Sequence, residues 1–289
     1  MNKVLRNNMI NGVASDYLSI DDRAIHYGDG LFETLLCRDN KVYYWAQHYS
    51  RLQRSAQRLK IACPAESLLL DDIARLFEEN TQTTGSARVI KIIITRGAGE
   101  RGYKFLQQAN SNRLLTLSKL ETEHSSLLAK KLLAGKLFLC EQQVSINKNL
   151  AGLKHLNRLE NVLARNEWQD GYIDGLMCNA NQHVIEGTMS NLFAVKDGQL
   201  FSPDLAVSGV NGIMRDVIMA AAEKNNIEVI VKDLNMDALF AMDEVFISNS
   251  LIGVKSVTGL ADVTYNKPQV CNIILQELLN SMEDHAQVI

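Results

Sequence analysis

Hydrophobic and polar residues alternate along the chain with two different periods, which predict strands in some stretches and helices in others. The stretches "LFETLLCRDNKVYYW", "ARVIKIIITRGAG" and "NRLLTLSKL" are rich in β-branched or other apolar residues and are interrupted by turn residues, so they predict strands. The stretches "WAQHYSRLQRSAQRLKIA" and "GIMRDVIMAAAEKNNI" predict helices, the first with an apolar stripe at helical spacing. This mixture predicts an α/β to α+β fold.

The segment at 119–136, "KLETEHSSLLAKKLLAGK", is polar at first and has no long strand signal, so it is the predicted junction between two domains. A chain of 289 residues is long enough for two modest domains. We therefore predict an N-terminal α/β domain over residues 1–120 and a C-terminal α/β domain over residues 121–289.

One lysine lies between a glycine-led turn and an amphipathic helix, in the stretch "AGLKHLNRLENVLARN" at 151–166. Four apolar residues recur there at helical spacing and predict one buried stripe: Leu156, Leu159, Val162 and Leu163. Lys154 precedes this stripe, at the entrance of the helix. Because most lysines are solvated surface residues, the pattern alone leaves a surface role and a catalytic role open.

Composition and charge narrow the class of protein. A formal net charge of -3 disfavours nucleic acid as the main partner, and no apolar run approaches the ~20 residues that span a bilayer. The N-terminal "MNKVLRNNMINGV" lacks the apolar core of a secretory signal. The five cysteines are dispersed without a C-x-x-C pair, which is typical of free thiols in a reducing compartment. We expect a cytoplasmic protein with no metal site, no membrane segment and no nucleic-acid partner.

Three further features could carry chemistry, although each has an ordinary structural explanation. Arg51 is either part of a solvated basic face with Arg54 and Arg58 or a phosphate ligand. Glu186 is either an exposed strand end or a buried carboxylate that needs a cation or a proton. The turn in "GVNGIMRD" at 209–216 opens a helix, where backbone N–H groups can bind an anion. Together with a reactive lysine, these groups match the needs of pyridoxal phosphate.

Seven motifs in order resemble the fold type IV pyridoxal-phosphate enzymes, a family that includes branched-chain aminotransferase, D-amino-acid aminotransferase and aminodeoxychorismate lyase. The motifs are "RAIHYGDGLFET", "HYSRLQRSA", "TRGAGERGY", "AGLKHLNRLENVLAR", "VIEGTMSNLFAVKDGQLFSP", "GVNGIMRD" and "DEVFISNS". They cover most of the chain, and a set of seven is far more specific than any one of them. The "RGAGERGY" and "AGLKHLNRLE" stretches resemble the lyase branch.

The resemblance implies a D-amino-acid-aminotransferase-like fold with pyridoxal 5'-phosphate in the cleft between two domains, and assembly as a homodimer. Lys154, in the C-terminal domain, matches the lysine that binds the cofactor covalently. The other implied cofactor contacts are a phosphate-binding arginine, an acid for the ring nitrogen, two backbone N–H groups at a helix start and a hydroxyl near the phosphate: Arg51, Glu186, Ile213, Met214 and Ser250.

The resemblance also implies an activity, the elimination of pyruvate from 4-amino-4-deoxychorismate to give p-aminobenzoate, with Lys154 as the base. Arg101 and Tyr103, in "GERGY", match positions that bind the substrate carboxylate in D-amino-acid aminotransferase. Thr34, in "FET", is a further candidate for a polar contact to the substrate.

The alternative within this family is a D-amino-acid or branched-chain aminotransferase. Transaminases of this fold usually carry a tyrosine shortly after the lysine, whereas this chain has Asn157, Arg158 and Leu159 there. They also usually carry "GIT" where this chain has "GIM" at 212–214, which removes a hydroxyl and leaves the backbone N–H groups in place. The missing tyrosine favours the lyase branch and leaves the role of Arg158 open.

Overall fold

A computed structural model describes residues 7–80, 86–105 and 110–289, so the first six residues of the N-terminal "MNKVLRNNMINGV" lie outside the described part. Within these ranges there are eight α-helices: α1 (Arg23–Tyr27), α2 (Trp45–Leu59), α3 (Glu66–Glu79), α4 (Ser126–Ala129), α5 (Leu159–Arg165), α6 (Ile213–Lys224), α7 (Met236–Phe240) and α8 (Gln269–Ser281). Two short 3-10 helices span Thr122–His124 and Met282–His285.

The same ranges contain sixteen strands, which we number in chain order: β1 (Asn8–Ile10), β2 (Val13–Ala14), β3 (Gly30–Arg38), β4 (Lys41–Tyr43), β5 (Arg88–Thr95), β6 (Asn112–Lys119), β7 (Leu133–Leu139), β8 (Tyr172–Cys178), β9 (Val184–Gly187), β10 (Asn191–Lys196), β11 (Gln199–Pro203), β12 (Val229–Lys232), β13 (Glu244–Asn249), β14 (Gly253–Leu260), β15 (Val263–Thr264) and β16 (Ala286–Val288). The strands predicted from "LFETLLCRDNKVYYW", "ARVIKIIITRGAG" and "NRLLTLSKL" are β3 with β4, β5 and β6. The predicted helices are α2 and α6.

The chain forms two compact units. Unit 1 comprises Met1–Glu121, Lys154–Asn157 and Glu283–Ile289, and unit 2 comprises Thr122–Leu153 and Arg158–Met282. The expected division into residues 1–120 and 121–289 differs from these units at Lys154–Asn157 and at Glu283–Ile289, which both belong to unit 1. Backbone hydrogen bonds hold the first segment beside β3, and β16 of the second segment pairs with β4. Lys154, expected in the C-terminal part, therefore belongs to unit 1.

Unit 1 is built on a seven-stranded antiparallel sheet in the order β16-β4-β3-β5-β6-β1-β2. Alternate residues of a strand face opposite sides of a sheet. Leu31, Glu33 and Leu35 of β3 are buried, whereas Phe32 and Thr34 between them are half-buried. The buried face joins a core that includes apolar residues of α2 and α3, such as Leu52 and Ile73. The sheet thus separates a closed apolar face from a more open one.

Unit 2 is built on a mixed nine-stranded sheet in the order β12-β11-β10-β13-β14-β7-β8-β9, with β15 paired to β14. Strand β9 also pairs with β10, through Asn191 and Glu186. Six strands from β10 through β13, β14, β7, β8 and β9 therefore close into a ring. Glu186 lies at the closing pair of this ring, which fixes its backbone on two sides.

The predicted buried stripe of the helix after Lys154 is wrong for three of its four residues. Leu159, Val162 and Leu163 are 76%, 52% and 59% exposed. Helix α5 is only seven residues long, and its buried residue is Ala164, one position beyond the predicted stripe. The unit thus presents three large apolar side chains on its surface.

None of the helices within the described ranges combines the length and the apolar character that a bilayer crossing requires.

Candidate active site

Lys154 lies on the segment that runs beside β3. The Phe32 N–H donates to the Lys154 carbonyl at 2.9 Å, and the Leu156 N–H donates to the Gly30 carbonyl at 3.0 Å. Gly30 permits this close approach, because a Cβ there would lie 2.7 Å from both a Leu156 methyl carbon and the Ile94 carbonyl oxygen. Lys154 is half-buried, with Nζ 4.4 Å from the centre of the Phe32 ring. This is not the setting of a solvated surface lysine.

The open face of β3 brings further polar groups near Lys154. Thr34 shares that face with Phe32, and its partner across the antiparallel pair is Lys91 of β5. Lys91 is exposed, and its Nζ lies 5.1 Å from the centre of the Phe32 ring. Since both ammonium groups are measured from one ring centre, they lie at most 9.5 Å apart. Lys154 thus has a hydroxyl and a second cation in its surroundings.

Arg51 is not part of the solvated face that the sequence left open. Arg54 and Arg58 are exposed on α2, but Arg51 is only 6% exposed. Its Nε and Nη2 donate to the two carboxylate oxygens of Glu33 at 2.9 and 2.5 Å. The Nδ1 atom of His48 lies 2.6 Å from the same carboxylate. Arg51 is therefore a buried, oriented guanidinium.

The charges of this cluster follow from its contacts. Burial opposes ionisation of Glu33, but the charge of Arg51 and the hydrogen bonds from His48 and Arg51 lower its pKa to about 2. Burial lowers the pKa of His48, helped by the charges of Arg51 and Lys154 and opposed by Glu33. At neutral pH, Glu33 is thus an anion, and His48 is neutral and donates its Nδ1–H to Glu33.

Three residues of this region were not identified from the sequence: Glu33, His48 and Lys91. A signal for Glu33 was present, because it occupies a position of β3 whose neighbours two residues away, Leu31 and Leu35, are buried and apolar. A carboxylate in such a place needs a partner. His48 precedes Arg51 by three residues, which puts both on one face of a helix. Lys91 had no comparable signal, since its closeness to Lys154 depends on the pairing of β3 with β5.

Glu186 is buried rather than an exposed strand end. It is 4% exposed, and one oxygen accepts a hydrogen bond from the Val210 N–H at 2.8 Å. Gly209 makes this contact possible, because its φ is 80° and a Cβ there would lie 2.7 Å from an Ile185 methyl carbon. Unit 2 thus holds a buried carboxylate beside the turn that opens α6.

The start of α6 has the features of an anion site. Its N-cap is Gly212, which makes no side-chain capping hydrogen bond, and Ile213 and Met214 are 3% and 1% exposed. The first N–H groups of a helix have no partner within the helix and carry part of its dipole. Asn191, which pairs with Glu186, holds the preceding turn by donating to the Val210 carbonyl at 2.8 Å. Glu186 and this helix start are therefore joined through one residue.

Ser250 lies in the turn after β13 and is half-buried. Two residues earlier, Ser248 pairs with Asn191. The amide of Asn249, directly before Ser250, donates to the Met189 carbonyl at 3.1 Å. Ser250 is thus on the side of the sheet end that carries the Glu186 loop.

Asp174 of β8 organises the loop that follows Glu186. Its carboxylate is 1% exposed and accepts hydrogen bonds from the hydroxyls of Thr188 and Ser190 at 2.5 and 2.6 Å. The backbone N–H groups of Gly175, Thr188 and Met189 also donate to it. Burial raises the pKa of Asp174, although these hydrogen bonds oppose the shift.

Arg158 lies close enough to Glu186 for their charges to interact. Burial lowers the pKa of Arg158, and the charge of Glu186, followed by that of Glu160, opposes the shift. Its guanidinium also makes long contacts with the Asn161 side chain at 3.4 Å and the Leu153 carbonyl at 3.5 Å. Arg158 is therefore part of the Glu186 surroundings.

Arg101 and Tyr103 lie on an exposed loop, and Tyr103 is 85% exposed. Arg23 anchors this loop by donating to the Gly102 and Tyr103 carbonyls at 2.9 and 3.2 Å. The hydroxyl of Tyr27 accepts from the Gly102 N–H at 3.0 Å. The loop is thus fixed at its backbone, and the centre of the Tyr103 ring lies 5.4 Å from the centre of the Tyr27 ring. The role of Arg101 and Tyr103 in substrate binding stays a prediction.

The predicted site residues fall into two sets. Lys154, Arg51, Thr34, Arg101 and Tyr103 belong to unit 1, while Glu186, Ile213, Met214 and Ser250 belong to unit 2. The donor set suits pyridoxal phosphate: an amine against an aromatic ring, a buried guanidinium and an uncapped helix start for a phosphate, and a buried carboxylate for a ring nitrogen. No group of three or more His, Cys, Asp or Glu side chains in the described ranges could hold a metal ion.

Known proteins resemble this chain over most of its length. It is 34% identical over 254 residues to aminodeoxychorismate lyase from Vibrio harveyi, which covers 87% of this chain and 90% of that protein. It is 28% identical over 263 residues to D-alanine aminotransferase from Listeria monocytogenes serotype 4b, which covers 90% of this chain and 88% of that protein.

Among solved structures, 4-amino-4-deoxychorismate lyase from Pseudomonas aeruginosa has a TM-score of 0.86 and 34% identity, covering 96% of this chain and 99% of that one. This similarity confirms the predicted fold type IV architecture. The family model for class IV amino-transferases matches residues 30–260. The chain belongs to the class IV amino-transferase family.

Proposed function

We propose that the protein is a pyridoxal-phosphate-dependent lyase that converts 4-amino-4-deoxychorismate to p-aminobenzoate and pyruvate. The observation that carries the proposal is that a chain 34% identical to a lyase over 87% of its length keeps Lys154, Arg51 and Glu186 in partly or fully buried polar settings. A D-amino-acid or branched-chain aminotransferase is the alternative, supported by the 28% identity to D-alanine aminotransferase.

Each part of the cofactor would meet one group of this chain. Lys154 would bind the cofactor covalently, and Glu186 would hold a proton on its ring nitrogen. The phosphate would be held by Arg51, by the backbone N–H groups of Ile213 and Met214, and by the hydroxyl of Ser250. When bound, pyridoxal phosphate supplies an electron sink for the carbon next to the substrate nitrogen.

Lys154 would move the protons of the reaction. As a free amine it takes the proton from C4 of the substrate ring. The C3–O bond then breaks, and the oxygen leaves with the bonding electrons as enolpyruvate while the ring becomes aromatic. Lys154 returns its proton to this leaving group, which becomes pyruvate. The atoms balance without an oxidant or a water molecule. Because Lys154 returns the proton that it took, one lysine would carry out both proton transfers.

The substrate carries two carboxylates, which need cationic partners. Lys91 and Thr34 are adjacent across β3 and β5 on the face that carries Lys154, so they would bind one carboxylate. Arg101 and Tyr103 would bind the other from their exposed loop. We assign Lys91 this role in addition to the residues expected from the sequence.

We also propose that the protein is a cytoplasmic homodimer. The exposed apolar face of α5, formed by Leu159, Val162 and Leu163, supports association with a second copy. All five cysteines are free thiols, four of them buried, as is usual in a reducing compartment. Light scattering of the wild-type protein and of Leu163→Glu tests the assembly, because the charge should shift the mass towards one chain.

The activity is tested with purified protein, pyridoxal phosphate and aminodeoxychorismate. We expect p-aminobenzoate to form, and the rate to fall by roughly a thousandfold or more in Lys154→Ala, since both proton transfers lose their carrier. Lys131→Ala, which changes an exposed lysine of unit 2, is the matched control and should keep the full rate. Full activity in Lys154→Ala would contradict the mechanism.

A further inference from the structure

We infer that Glu33 is a positioning residue for the anion site: with His48 it fixes the guanidinium of Arg51 in place before a phosphate group arrives. This inference rests on the proposed function, because it concerns the phosphate of pyridoxal phosphate. It adds two residues, Glu33 and His48, that would not touch the cofactor and act through Arg51.

The geometry that carries the inference lies within unit 1. Strand β3 supplies Glu33, and successive turns of α2 supply His48 and Arg51. The three side chains are 3%, 1% and 7% exposed. Glu33 uses both oxygens on Arg51, at 2.9 and 2.5 Å, and one of these oxygens also meets His48 at 2.6 Å. A two-point contact fixes the plane of a guanidinium as well as its position.

The contacts divide the donors of Arg51. Glu33 engages Nε and Nη2, so it sets the plane and the direction in which Arg51 presents its guanidinium to an anion. An arginine held by two hydrogen bonds loses less side-chain freedom on binding a ligand than a mobile one, which favours tight binding. The cost is that a carboxylate shares the charge of Arg51. Whether the loss of Glu33 weakens or strengthens phosphate binding therefore tests the inference.

His48 completes the arrangement. Because its Nδ1–H donates to Glu33, its Nε2 is an acceptor, and this atom is buried without a hydrogen-bond partner among the described residues. The charges of Arg51 and Lys154 both act on this ring. The neutral ring holds the second oxygen of Glu33 without adding a charge, so the cluster keeps one cation and one anion.

A purely structural role is the alternative, in which the cluster only fastens α2 to β3. The same unit provides a matched control, the pair of Asp72 with Arg113, whose closest atoms are 2.7 Å apart. The side chain of Asp72 is buried to about the same degree as that of Glu33, at 2% against 3% exposed. Asp72→Asn and Glu33→Gln therefore each remove one buried carboxylate charge from an ion pair of unit 1.

The experiment measures dissociation constants of the apoprotein for pyridoxal phosphate and for pyridoxal, which lacks the phosphate. In Glu33→Gln we expect affinity for pyridoxal phosphate to fall about tenfold or more, the size of one charge-assisted hydrogen bond, with little change for pyridoxal. In Asp72→Asn the ratio of the two constants should equal that of the wild type. Titration with inorganic phosphate should show the same loss in Glu33→Gln.

An unchanged ratio in Glu33→Gln, or tighter binding of pyridoxal phosphate, would overturn the inference while leaving the proposed function intact. A wild-type protein that binds pyridoxal phosphate no better than pyridoxal would overturn both. If Glu33→Gln does not fold, His48→Leu removes the second support of Glu33 and should change the ratio in the same direction, by a smaller factor.

Discussion

Two buried carboxylates, Glu33 in unit 1 and Asp174 in unit 2, have opposite surroundings. Burial opposes the ionisation of Glu33, but the charge of Arg51 together with the hydrogen bonds from His48 and Arg51 lowers its pKa to about 2. Asp174 is held by hydroxyl and backbone N–H donors, all neutral, and burial raises its pKa despite them. Neutral donors can satisfy a buried carboxylate, but here they do not offset its loss of hydration as a nearby cation does.

The opposite pKa shifts of Glu33 and Asp174 agree with the groups that each carboxylate contacts. Glu33 orients Arg51, the arginine that we propose to bind an anion. Asp174 orders the loop after Glu186 through donors that belong to that loop, and the half-buried Lys255 also interacts with its charge. Arg51 therefore compensates the charge of Glu33 in unit 1, whereas the hydrogen-bond donors of Asp174 in unit 2 are neutral groups.

The largest expected effect is on the unfolding free energy of Glu33→Gln. Removing one partner leaves Arg51 buried without its anion, which should cost about 3–5 kcal/mol. Urea unfolding at pH 7 measures this loss. The double variant Glu33→Leu with Arg51→Met should recover most of it, because an apolar pair leaves no buried charge. A loss under about 1 kcal/mol in the single variant would show that the pair is not compensating charge.

The pH dependence of stability should differ in sign between the two carboxylates. The pKa of Glu33 is lowered from 4.5 to about 2, so its contribution of about 3 kcal/mol is present above pH 4.5 and is lost as the pH falls towards 2. The pKa of Asp174 is raised, so its contribution is present at low pH and is lost as the pH rises through the raised pKa.

Urea unfolding of the wild type, Glu33→Gln and Asp174→Asn between pH 3 and 7 measures these two contributions. The gap between wild type and Glu33→Gln should shrink below pH 4.5, and the gap to Asp174→Asn should widen. Parallel curves for the two variants would mean that the two carboxylates have the same surroundings after all.

A smaller effect is expected for Asp174→Asn at pH 7. The amide keeps the shape but turns an NH₂ group towards donors, which leaves buried groups unpaired and should cost about 1–3 kcal/mol. Thermal and urea unfolding measure it. The double variant Thr188→Val with Ser190→Ala removes the two hydroxyl donors instead, and it should raise the pKa of Asp174 further. A cost as large as that of Glu33→Gln would remove the contrast between the two units.

The smallest effect is expected for Arg54→Ala. Arg54 is exposed on α2 one turn from Arg51, so its loss should change the unfolding free energy by no more than about 0.5 kcal/mol. The affinity of the Arg54→Ala variant for pyridoxal phosphate should equal that of the wild type, whereas the affinity of the Arg51→Ala variant should be lower. Equal losses in both variants would restore the interpretation of α2 as one basic face.

The sequence predicted the elements and the order of motifs, because periodicity and turn residues are local properties. It also identified Lys154, Arg51 and Glu186 as the groups to examine. It failed for Leu159, Val162 and Leu163, since helical spacing shows that residues share a face but not whether that face is covered. It also missed the partners of Arg51 and the nearness of Lys91 to Lys154, which depend on which strands pair and on their register.

The central claim is that the protein eliminates pyruvate and does not transfer amino groups, and it is tested most directly by omitting the acceptor. Wild-type protein with pyridoxal phosphate is incubated with an excess of aminodeoxychorismate and no 2-oxo acid, and the amounts of p-aminobenzoate and pyruvate are measured. We predict many turnovers per chain, with p-aminobenzoate and pyruvate in equal amounts. Failure to form p-aminobenzoate, together with rapid conversion of D-alanine or a branched-chain amino acid once a 2-oxo acid is added, would contradict the claim and identify a transaminase.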